Sequence, residues 1–439
     1  MKFVSTRGDT PQADFGTMLM SGPAPDGGLY MPESWPRFGV LPDRYAQAAE
    51  TIMRAFGAGD VRFDDTQVMP LVEIKPGFFL LELFHGPTFA FKDIALQAIA
   101  RLMERELERR GGRALVLGAT SGDTGAAAIA ALAERKTIAV VVLHPKGRIS
   151  EIQRRQMTTC EAPNVRNIAI EGDFDETQRI VRDLFADRAF ARAHSLAAMN
   201  SLNFARIAAQ SVYFMWAAVR LGKPPVFAVP SGNFGNAFSG FCAREMGAAM
   251  GKIVVATNEN DTLARALETG RFEARRTIAT SSPAMDIQKP SNFERLLFEA
   301  SGRDGARVSA FARGGVFDLS ESELRFMRER YIATRVSETE TLAAMKRIYE
   351  ETGRLVDPHT AVGIAAAEKT GPHSAPVVAL ATAHPAKFPE TVMRATGVRP
   401  KIPAQLTGLM NLPERYATLP PETAAVKRHI EAEAKRIWH

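Results

Sequence analysis

The chain of 439 residues is 46% hydrophobic and 24% charged, and it has no low-complexity tract. This composition is typical of a folded globular protein and excludes an intrinsically disordered one, while the length predicts two or three packed units. The net charge of +6 is the balance of 55 basic and 49 acidic residues, spread without a long basic run. We therefore expect no nucleic-acid partner; a mildly positive chain suits a small anionic substrate, although charge alone does not identify one.

Only two cysteines occur, Cys160 and Cys242, and neither stands in a pattern with metal-ligand spacing. The histidines are scattered singly, so we expect no metal site. Residues 1–8 lack the apolar stretch of a secretory signal, and no apolar run is long enough to cross a bilayer. We therefore expect a soluble, cytoplasmic protein that does not associate with a membrane.

Residues 1–80 are predicted to form an N-terminal preface domain, separate from the main region at 81–439. This part has a turn segment rich in glycine and proline at 23–32, apolar residues at helical spacing over 45–56, and a buried strand over 78–84. It carries little recognisable chemistry. We expect it to pack against the main region, although an independent partner-binding module also fits this pattern.

The stretch from 85 to 97 (HGPTFAFKDIALQ) places Lys92 between aromatic and apolar residues. Apolar surroundings lower the pKa of an ammonium group and favour the free amine, which can attack a carbonyl and form a Schiff base. The alternative is that Lys92 lies at the start of an amphipathic helix and extends its charged head into solvent. The stretch taken alone favours the second interpretation.

Beyond Lys92, predicted helices and strands alternate regularly. The helices cover 94–110, the alanine-rich stretch that follows the loop at 118–125 and runs to about 135, 149–159 and 174–190. The strands between and after them cover 114–117, 137–143 and 165–170. This alternation predicts an α/β architecture with parallel sheets, covering helices and right-handed crossovers, and a smaller α/β subdomain at roughly 110–215. Alternating charges over 318–352 predict a helical cover on the sheet, and the chain is expected to end in a helix over 421–438.

A glycine-containing loop at 118–125 (GATSGDTG) joins a predicted strand to a helix. Glycines allow close backbone approach, and the N-terminus of the helix offers unpaired N–H groups to a phosphate or carboxylate. Ser121 and Thr124 add hydroxyl groups, and Asp123 is expected to cap the helix and to bind a ligand. An ordinary capped turn is an equally good interpretation of this loop alone, because its spacing matches neither the dinucleotide nor the Walker A pattern.

A second loop, at 230–236 (PSGNFGN), follows a predicted strand at 225–229 and precedes a helix over 237–250. Its backbone N–H groups can form a nest around one phosphate, while the asparagine amides hold neighbouring polar atoms. Phe234 is explained by packing, but two glycines and two asparagines exceed what a helix cap requires. The loop therefore predicts a phosphate site.

A third polar cluster, at 382–387 (TAHPAK), follows a predicted strand at 375–381. Ligands of open α/β sheets bind beyond the carboxyl ends of the strands, so the three loops are expected to meet in one crevice. A lysine in apolar surroundings, a phosphate nest and a hydroxyl group at a third strand end are what a phosphorylated aldehyde requires. The sequence therefore predicts pyridoxal 5'-phosphate as the cofactor.

Ten short motifs extend along most of the chain. They are STR at 5–7, DGGLY at 26–30, HGPTFAFKD at 85–93, TSGDTG at 120–125, PKGR at 145–148, NSLNFAR at 200–206, SGNFGN at 231–236, NEND at 258–261, MDIQ at 285–288 and SNFERLL at 291–297. With these motifs the chain resembles the threonine synthase family, within the fold-type II pyridoxal phosphate enzymes. The preface resembles that of the longer bacterial and fungal form.

The resemblance implies the tryptophan synthase β-like, fold-type II α/β fold and a lyase of threonine biosynthesis. The expected reaction converts O-phospho-L-homoserine and water to L-threonine and phosphate, with Lys92 as the catalytic residue that forms the Schiff base and moves protons of the substrate. The nest would hold the cofactor phosphate, and Thr382 would face the ring nitrogen as a neutral hydroxyl. The implied cofactor-binding residues are Lys92, Gly232, Asn233, Phe234, Gly235, Asn236 and Thr382.

This substrate has a carboxylate and a phosphate, so a second anion site is required. Arg206 can bind a phosphate through two hydrogen bonds, and Asn203 lies on the same face if this segment is helical. Lys146, Arg148 and His85 are further candidates, for which solvated or structural roles are equally good interpretations. The implied substrate-binding residues are Thr120, Ser121, Asp123, Thr124, Asn203 and Arg206.

Two other functions remain open at this stage. A related pyridoxal phosphate-dependent phospho-lyase would stop after phosphate elimination and release 2-oxobutanoate. A catalytically silent phospho-ligand binding protein would have no use for Lys92, whose presence counts against it. The sequence leaves the oligomeric state open between monomer and homodimer.

Overall fold

A computed structural model of the chain describes residues 1–63, 69–198 and 202–438. Asn200 and Ser201, which belong to the motif at 200–206, lie outside the described residues. None of the helices in the described part has the length and apolar character that crossing a membrane requires.

The described residues contain fifteen strands and eighteen α-helices. The strands are β1 (Phe3–Ser5), β2 (Tyr30–Pro32), β3 (Leu71–Lys75), β4 (Phe78–Glu82), β5 (Ala114–Ala119), β6 (Ile138–Pro145), β7 (Val165–Ile170), β8 (Leu196–Ala197), β9 (Val226–Pro230), β10 (Ile253–Thr257), β11 (Arg271–Phe272), β12 (Phe317–Asp318), β13 (Tyr331–Arg335), β14 (Val377–Ala381) and β15 (Ala417–Leu419). The helices are α1 (Phe15–Ser21), α2 (Tyr45–Ala55), α3 (Lys92–Arg110), α4 (Asp123–Leu132), α5 (Glu151–Thr158), α6 (Phe174–Ala186), α7 (Arg188–Ala193), α8 (Phe204–Leu221), α9 (Gly235–Glu245), α10 (Thr262–Thr269), α11 (Phe293–Ala300), α12 (Gly305–Ala312), α13 (Glu321–Arg330), α14 (Glu338–Thr352), α15 (Pro358–Thr370), α16 (Pro389–Thr396), α17 (Ala404–Thr407) and α18 (Thr423–Trp438).

The larger sheet has six strands in the order β13-β10-β9-β14-β4-β3. Neighbouring strands are parallel, except that β3 runs antiparallel to β4. The central strands β9 and β14 are buried along their whole length, because helices cover both faces. Phe227 and Val229 pack into the core that holds α8 and α9, whereas Val226 and Ala228 face α14 and α15.

The smaller sheet has five parallel strands in the order β15-β7-β6-β5-β8. Residues 114–197 supply four of these strands, and β15 adds the fifth from near the end of the chain. One face of the sheet forms a core with α6 and α18. The remaining strands form two short antiparallel pairs, β1 with β2 and β11 with β12.

Most of the predicted elements are confirmed, including the helix over 45–56, the strand over 165–170 and the terminal helix. Two predictions are wrong. The predicted helix over 174–190 is two helices, because the side chain of Asp187 accepts a hydrogen bond from the Phe190 backbone and starts α7. The predicted helical cover over 318–352 contains β13, whose backbone pairs along β10 at the edge of the larger sheet.

The N-terminal segment packs onto the main region through specific polar contacts. Thr6 donates a hydrogen bond to Glu294 at 2.6 Å, and Arg7 binds the same carboxylate at 3.1 Å. The strands β3 and β4 belong to the larger sheet. We propose that the preface ends before β3, rather than at residue 80. We further propose that the smaller subdomain, predicted at roughly 110–215, also includes β15 and α18, whereas α8 packs with the larger sheet. Limited proteolysis that cuts first within the smaller sheet would contradict this division.

Candidate active site

The stretch around Lys92 runs alongside the segment that follows β14. Phe91 donates its backbone N–H to the carbonyl oxygen of Thr382 at 2.9 Å, and His384 donates to the carbonyl of Phe89 at 3.1 Å. Phe89 adopts a positive φ of 58°, which turns the chain into the start of α3. Lys92 is the first residue of that helix and is only 9% exposed, so its side chain does not extend into solvent.

The ammonium group of Lys92 has one carboxylate and several apolar atoms around it. Its Nζ lies 3.5 Å from Oδ2 of Asp123 and 4.9 Å from the ring centre of Phe91. Burial is the main cause that lowers the pKa of Lys92; Asp123 opposes the shift, while the charges of Arg206 and Lys387 add to it. The site therefore favours the free amine, which is the nucleophilic form.

The loop after β9 forms a backbone cradle at the N-terminus of α9. Phe234 precedes the helix with a φ of 65°, and a Cβ on Gly232 would lie only 2.4 Å from the carbonyl oxygen of Ala284. Ser231 Oγ and Asn236 Nδ2 are buried and have no hydrogen-bond partner among the described residues. Unpaired donors beside the first N–H groups of a helix make a site for an anion.

The prediction that Asp123 caps the helix after β5 with its side chain is wrong. Thr120 Oγ1 accepts hydrogen bonds from the backbone N–H groups of Gly122 at 3.0 Å and Gly125 at 2.9 Å. Asp123 therefore does not cap α4 by its side chain; its carboxylate points to the lysines. Although burial alone would raise the pKa of Asp123, the ammonium groups of Lys387 and Lys92 hold it well below its usual range.

Lys387 is a second buried lysine at this site, and it is fully shielded from solvent. Its Nζ lies 2.7 Å from Oδ1 of Asp123 and donates to the carbonyl oxygen of Thr88 at 2.8 Å. Gln153 donates to the same carboxylate oxygen at 2.8 Å. The sequence placed Lys387 in a polar cluster after a strand but gave no reason to expect it beside Asp123, because the contact joins residues far apart in the chain.

Arg206 lies in the first turn of α8, and burial lowers its pKa to about 10, so its guanidinium stays charged at neutral pH. Asn203 is the N-cap of the same helix: its Oδ1 accepts from the Ala205 backbone at 3.0 Å and its Nδ2 donates to the carbonyl of Leu19 at 2.7 Å. Asn203 does not line the cavity that Arg206 lines. Both ends of its amide therefore have partners within the fold, and its predicted substrate contact stays a prediction.

One cavity of about 620 Å³ brings the other predicted residues together. The predicted residues in its wall are Lys92, Thr120, Ser121, Asp123, Thr124, Arg206, Gly232, Asn233, Phe234, Gly235, Asn236 and Thr382. His85, Lys146 and Arg148 are not among its lining residues; His85 and Lys146 instead pair with Glu82 and Glu171.

The cavity also has walls that sequence reasoning did not assign. His359 lines it, and its ring is held by Asp357 at 2.8 Å. Four exposed basic residues stand at its rim: Arg182, Arg275, Arg276 and Lys289. A strand-end position was a usable signal for Lys387. Arg275 and Arg276 follow only the two-residue strand β11, which the sequence did not predict, and Arg182 lies within α6, so nothing in their local sequence marks them.

Comparison with known proteins decides the family. The family described as pyridoxal-phosphate dependent enzyme matches residues 64–383. The threonine synthase N terminus matches 2–69, and the C-terminal threonine synthase family matches 360–430. A threonine synthase of Pseudomonas aeruginosa is 42% identical and covers 99% of both chains. The chain belongs to the threonine synthase family.

Two solved structures agree with this assignment. The pyridoxal phosphate-bound threonine synthase of Brucella melitensis is 42% identical, covers 99% of this chain and 100% of its own, and has a TM-score of 0.93. The yeast threonine synthase is 35% identical, covers 99% of each chain and has a TM-score of 0.89. The predicted fold-type II architecture and the pyridoxal phosphate-dependent lyase class are therefore confirmed.

The residues present fit pyridoxal phosphate. The unpaired Ser231 Oγ and Asn236 Nδ2 and the room kept by Gly232 suit a phosphate group. Lys92 supplies an amine of lowered pKa for the aldehyde. Thr382, a buried residue of the same cavity, would offer a neutral hydroxyl to the ring nitrogen, as predicted.

Proposed function

We propose that this enzyme converts O-phospho-L-homoserine and water to L-threonine and phosphate. One observation carries the proposal: the cavity around Lys92 is lined by two groups of residues that suit anions, the cradle at 231–236 and the buried Arg206 with the loop at 120–124. The cofactor has one phosphate, so the second group remains for a substrate with anionic ends. The family membership supports the same reaction.

The chemistry of the residues indicates which of them binds the phosphate of the substrate and which of them binds its carboxylate. Arg206 is the buried guanidinium of the wall and suits the phosphate, which it can bind through two parallel hydrogen bonds. Ser121 and Thr124, at the N-terminus of α4, suit the carboxylate. Asp123 does not bind an anion; it holds the two lysines instead. Asn203 is left out of the proposed substrate contacts.

Pyridoxal phosphate, when bound, takes up the electron pairs that remain on carbon when the C–H bonds of the substrate break. Lys92 provides the amine that moves protons: it removes them from Cα and Cβ, delivers one to Cγ after phosphate has left, and returns one to Cα after water has added at Cβ. The proton that this water gives up balances the one that the departing phosphate takes. Lys92 and the polar residues beside it are buried, which keeps bulk water away from its amine.

A product assay tests the reaction. Incubating the holoenzyme with O-phospho-L-homoserine should release threonine and phosphate in equal amounts, with 2-oxobutanoate as a minor product at most. Keto acid as the main product would instead establish the phospho-lyase reaction. Phosphate release without either organic product would contradict both.

Substitution of the reactive lysine tests its role. We expect Lys92→Ala to remove the visible absorbance of lysine-bound cofactor and turnover together, because Lys289, the other lysine among the lining residues, is exposed at the rim and does not replace the buried amine. Borohydride reduction followed by peptide mapping should place the cofactor on Lys92. Label on the neighbouring buried Lys387 would refute the assignment, and Lys369→Ala, an exposed lysine paired with Glu340, is the matched control.

We further propose that the enzyme works in the cytoplasm as a monomer or homodimer, without nucleic acid. The small number of cysteines and the lack of a long basic run support this. Light scattering of the holoenzyme tests the oligomeric part, which a larger assembly would contradict.

A further inference from the structure

We propose that Lys387 is a positioning residue that fixes the carboxylate of Asp123 between its own ammonium group and the amine of Lys92, and thereby controls the protonation of Lys92. The inference rests on the proposed role of Lys92 as the reactive lysine. It assigns a role to a buried charge that the reaction itself does not use.

The geometry divides the two oxygens of Asp123 between the two lysines. Oδ1 lies 2.7 Å from Lys387, within hydrogen-bond distance, whereas Oδ2 lies 3.5 Å from Lys92, which is a longer and weaker contact. Gln153 adds a second donor to Oδ1 at 2.8 Å. Asp123 is thus bound more tightly to Lys387 than to Lys92.

Lys387 itself has little freedom to move. It is fully buried in the 3-10 helix Pro385–Lys387, and its Nζ also donates to the carbonyl oxygen of Thr88 at 2.8 Å. Thr88 is held in turn by Asp93, whose carboxylate accepts from the Thr88 backbone at 2.8 Å and from its hydroxyl at 2.6 Å. This chain of contacts fixes the ammonium of Lys387 relative to α3, on which Lys92 lies.

The charge balance gives the sign of the effect. Lys387 neutralises Asp123, so a protonated Lys92 would leave an excess positive charge in a buried site that already faces Arg206. The charged groups that face Lys92 are Asp123 from α4, Arg206 from α8 and Lys387. Without Lys387, Asp123 would become the counter-ion of Lys92 alone and would favour the ammonium form.

The test measures Lys92 directly in the protein without cofactor. The rate at which an amine-specific reagent labels Lys92, followed by peptide mass spectrometry across pH, gives the midpoint for the free amine. We expect Lys387→Met to raise this midpoint by about one pH unit, so that labelling below the midpoint is about tenfold slower. Lys387→Arg should restore it, and the exposed control Lys369→Met should leave it unchanged.

Two additional variants separate positioning from a direct charge effect and from misfolding. If Lys387 acts through Asp123, its substitution should shift the midpoint less in an Asp123→Asn background. Gln153→Leu removes the other donor to Asp123 without a change of charge, and should raise the midpoint slightly even if Lys387→Met does not fold. An unchanged or lower midpoint in a folded Lys387→Met, or an equal shift in both backgrounds, would overturn the proposal.

The holoenzyme gives a second measurement. The pH at which the visible band of the bound cofactor changes should rise in Lys387→Met and return in Lys387→Arg. These measurements do not use substrate, so they stand even if the product assay shows a keto acid. If the product assay gives threonine but the midpoints do not move, the reaction holds and the role of Lys387 is refuted.

Discussion

At Gly232 the backbone of the phosphate cradle leaves no room for a side chain. A Cβ there would lie 2.4 Å from the carbonyl oxygen of Ala284 and 3.1 Å from Cα of Met285, and these backbone atoms cannot move aside as a flexible side chain could. The need for glycine at this position is therefore steric, since its φ is not among the positive values of the chain. The close approach keeps the cradle narrow.

We expect Gly232→Ala to weaken cofactor binding by about tenfold or more, because such overpacking costs about 1–3 kcal/mol and displaces the cradle. Equilibrium titration of the apoprotein with pyridoxal phosphate measures the effect. Gly408→Ala is the matched control, because that glycine has ordinary helical φ and open space around it. Unchanged affinity in Gly232→Ala would show that the phosphate lies elsewhere.

At the scale of elements, helix and strand periodicity predicted the alternating units from α3 to α6 and the strand ends that carry the three loops. It did not predict β13, because this partly buried edge strand of five residues lies between the charged helices α13 and α14 and is too short to show its own periodicity. It also could not find β15, a strand of three residues whose pairing with β7 joins distant parts of the chain. Short edge strands are determined by tertiary contacts rather than local sequence.

The same limit applies to the site. The loops were predictable because each follows a buried strand. In two of them, glycine or asparagine residues also mark a tight turn before a helix. The contact of Lys387 with Asp123 and the capping role of Asn203 were not predictable, since both depend on partners distant in the chain. Residue type identified the candidates; only the fold shows which polar groups are already paired.

Helix α11, which begins within the motif SNFERLL, connects the N-terminal segment to the cradle through one buried arginine. Arg295 is fully buried and donates to the backbone carbonyls of Tyr30 at 3.3 Å and Leu202 at 2.6 Å, and to the side chain of Asn292. Asn292 in turn donates from its backbone and side chain to the carbonyl of Asn233 in the cradle. The motif therefore helps to hold the cradle in its conformation.

We expect Arg295→Met to lower the free energy of unfolding by about 2–4 kcal/mol, since each buried acceptor left unpaired costs about 1–3 kcal/mol and Met recovers part of the packing. Cofactor affinity should fall as well, because Asn292 loses its orientation. Chemical denaturation and cofactor titration measure the two effects, with the exposed Arg313→Met as the control. A loss of stability with unchanged cofactor affinity would show that Arg295 does not support the cradle.

For the molecule as a whole, the exposed charged residues that line the cavity are four basic residues and one acidic residue, Asp175, so its rim is positively charged on balance. Arg182 lies on α6, beside the smaller sheet, and Arg275, Arg276 and Lys289 lie on the segment between β11 and α11. All four are exposed, and the chain carries a net charge of +6. A phosphorylated substrate with several negative charges is attracted to such a rim, and the attraction is screened by salt over about 8–10 Å at ordinary ionic strength.

We therefore expect kcat/KM for O-phospho-L-homoserine to fall as the salt concentration rises, because this ratio includes the capture of the substrate. The double variant Arg275→Gln with Arg276→Gln should lower kcat/KM several-fold at low salt and should flatten its salt dependence, while kcat stays close to that of the parent enzyme. These side chains are exposed and do not contact Lys92 or the cradle, so the effect belongs to the approach of the substrate. Arg313→Gln removes an exposed charge outside the rim and is the control. A salt dependence as steep in the double variant as in the parent would show that the rim does not guide the substrate.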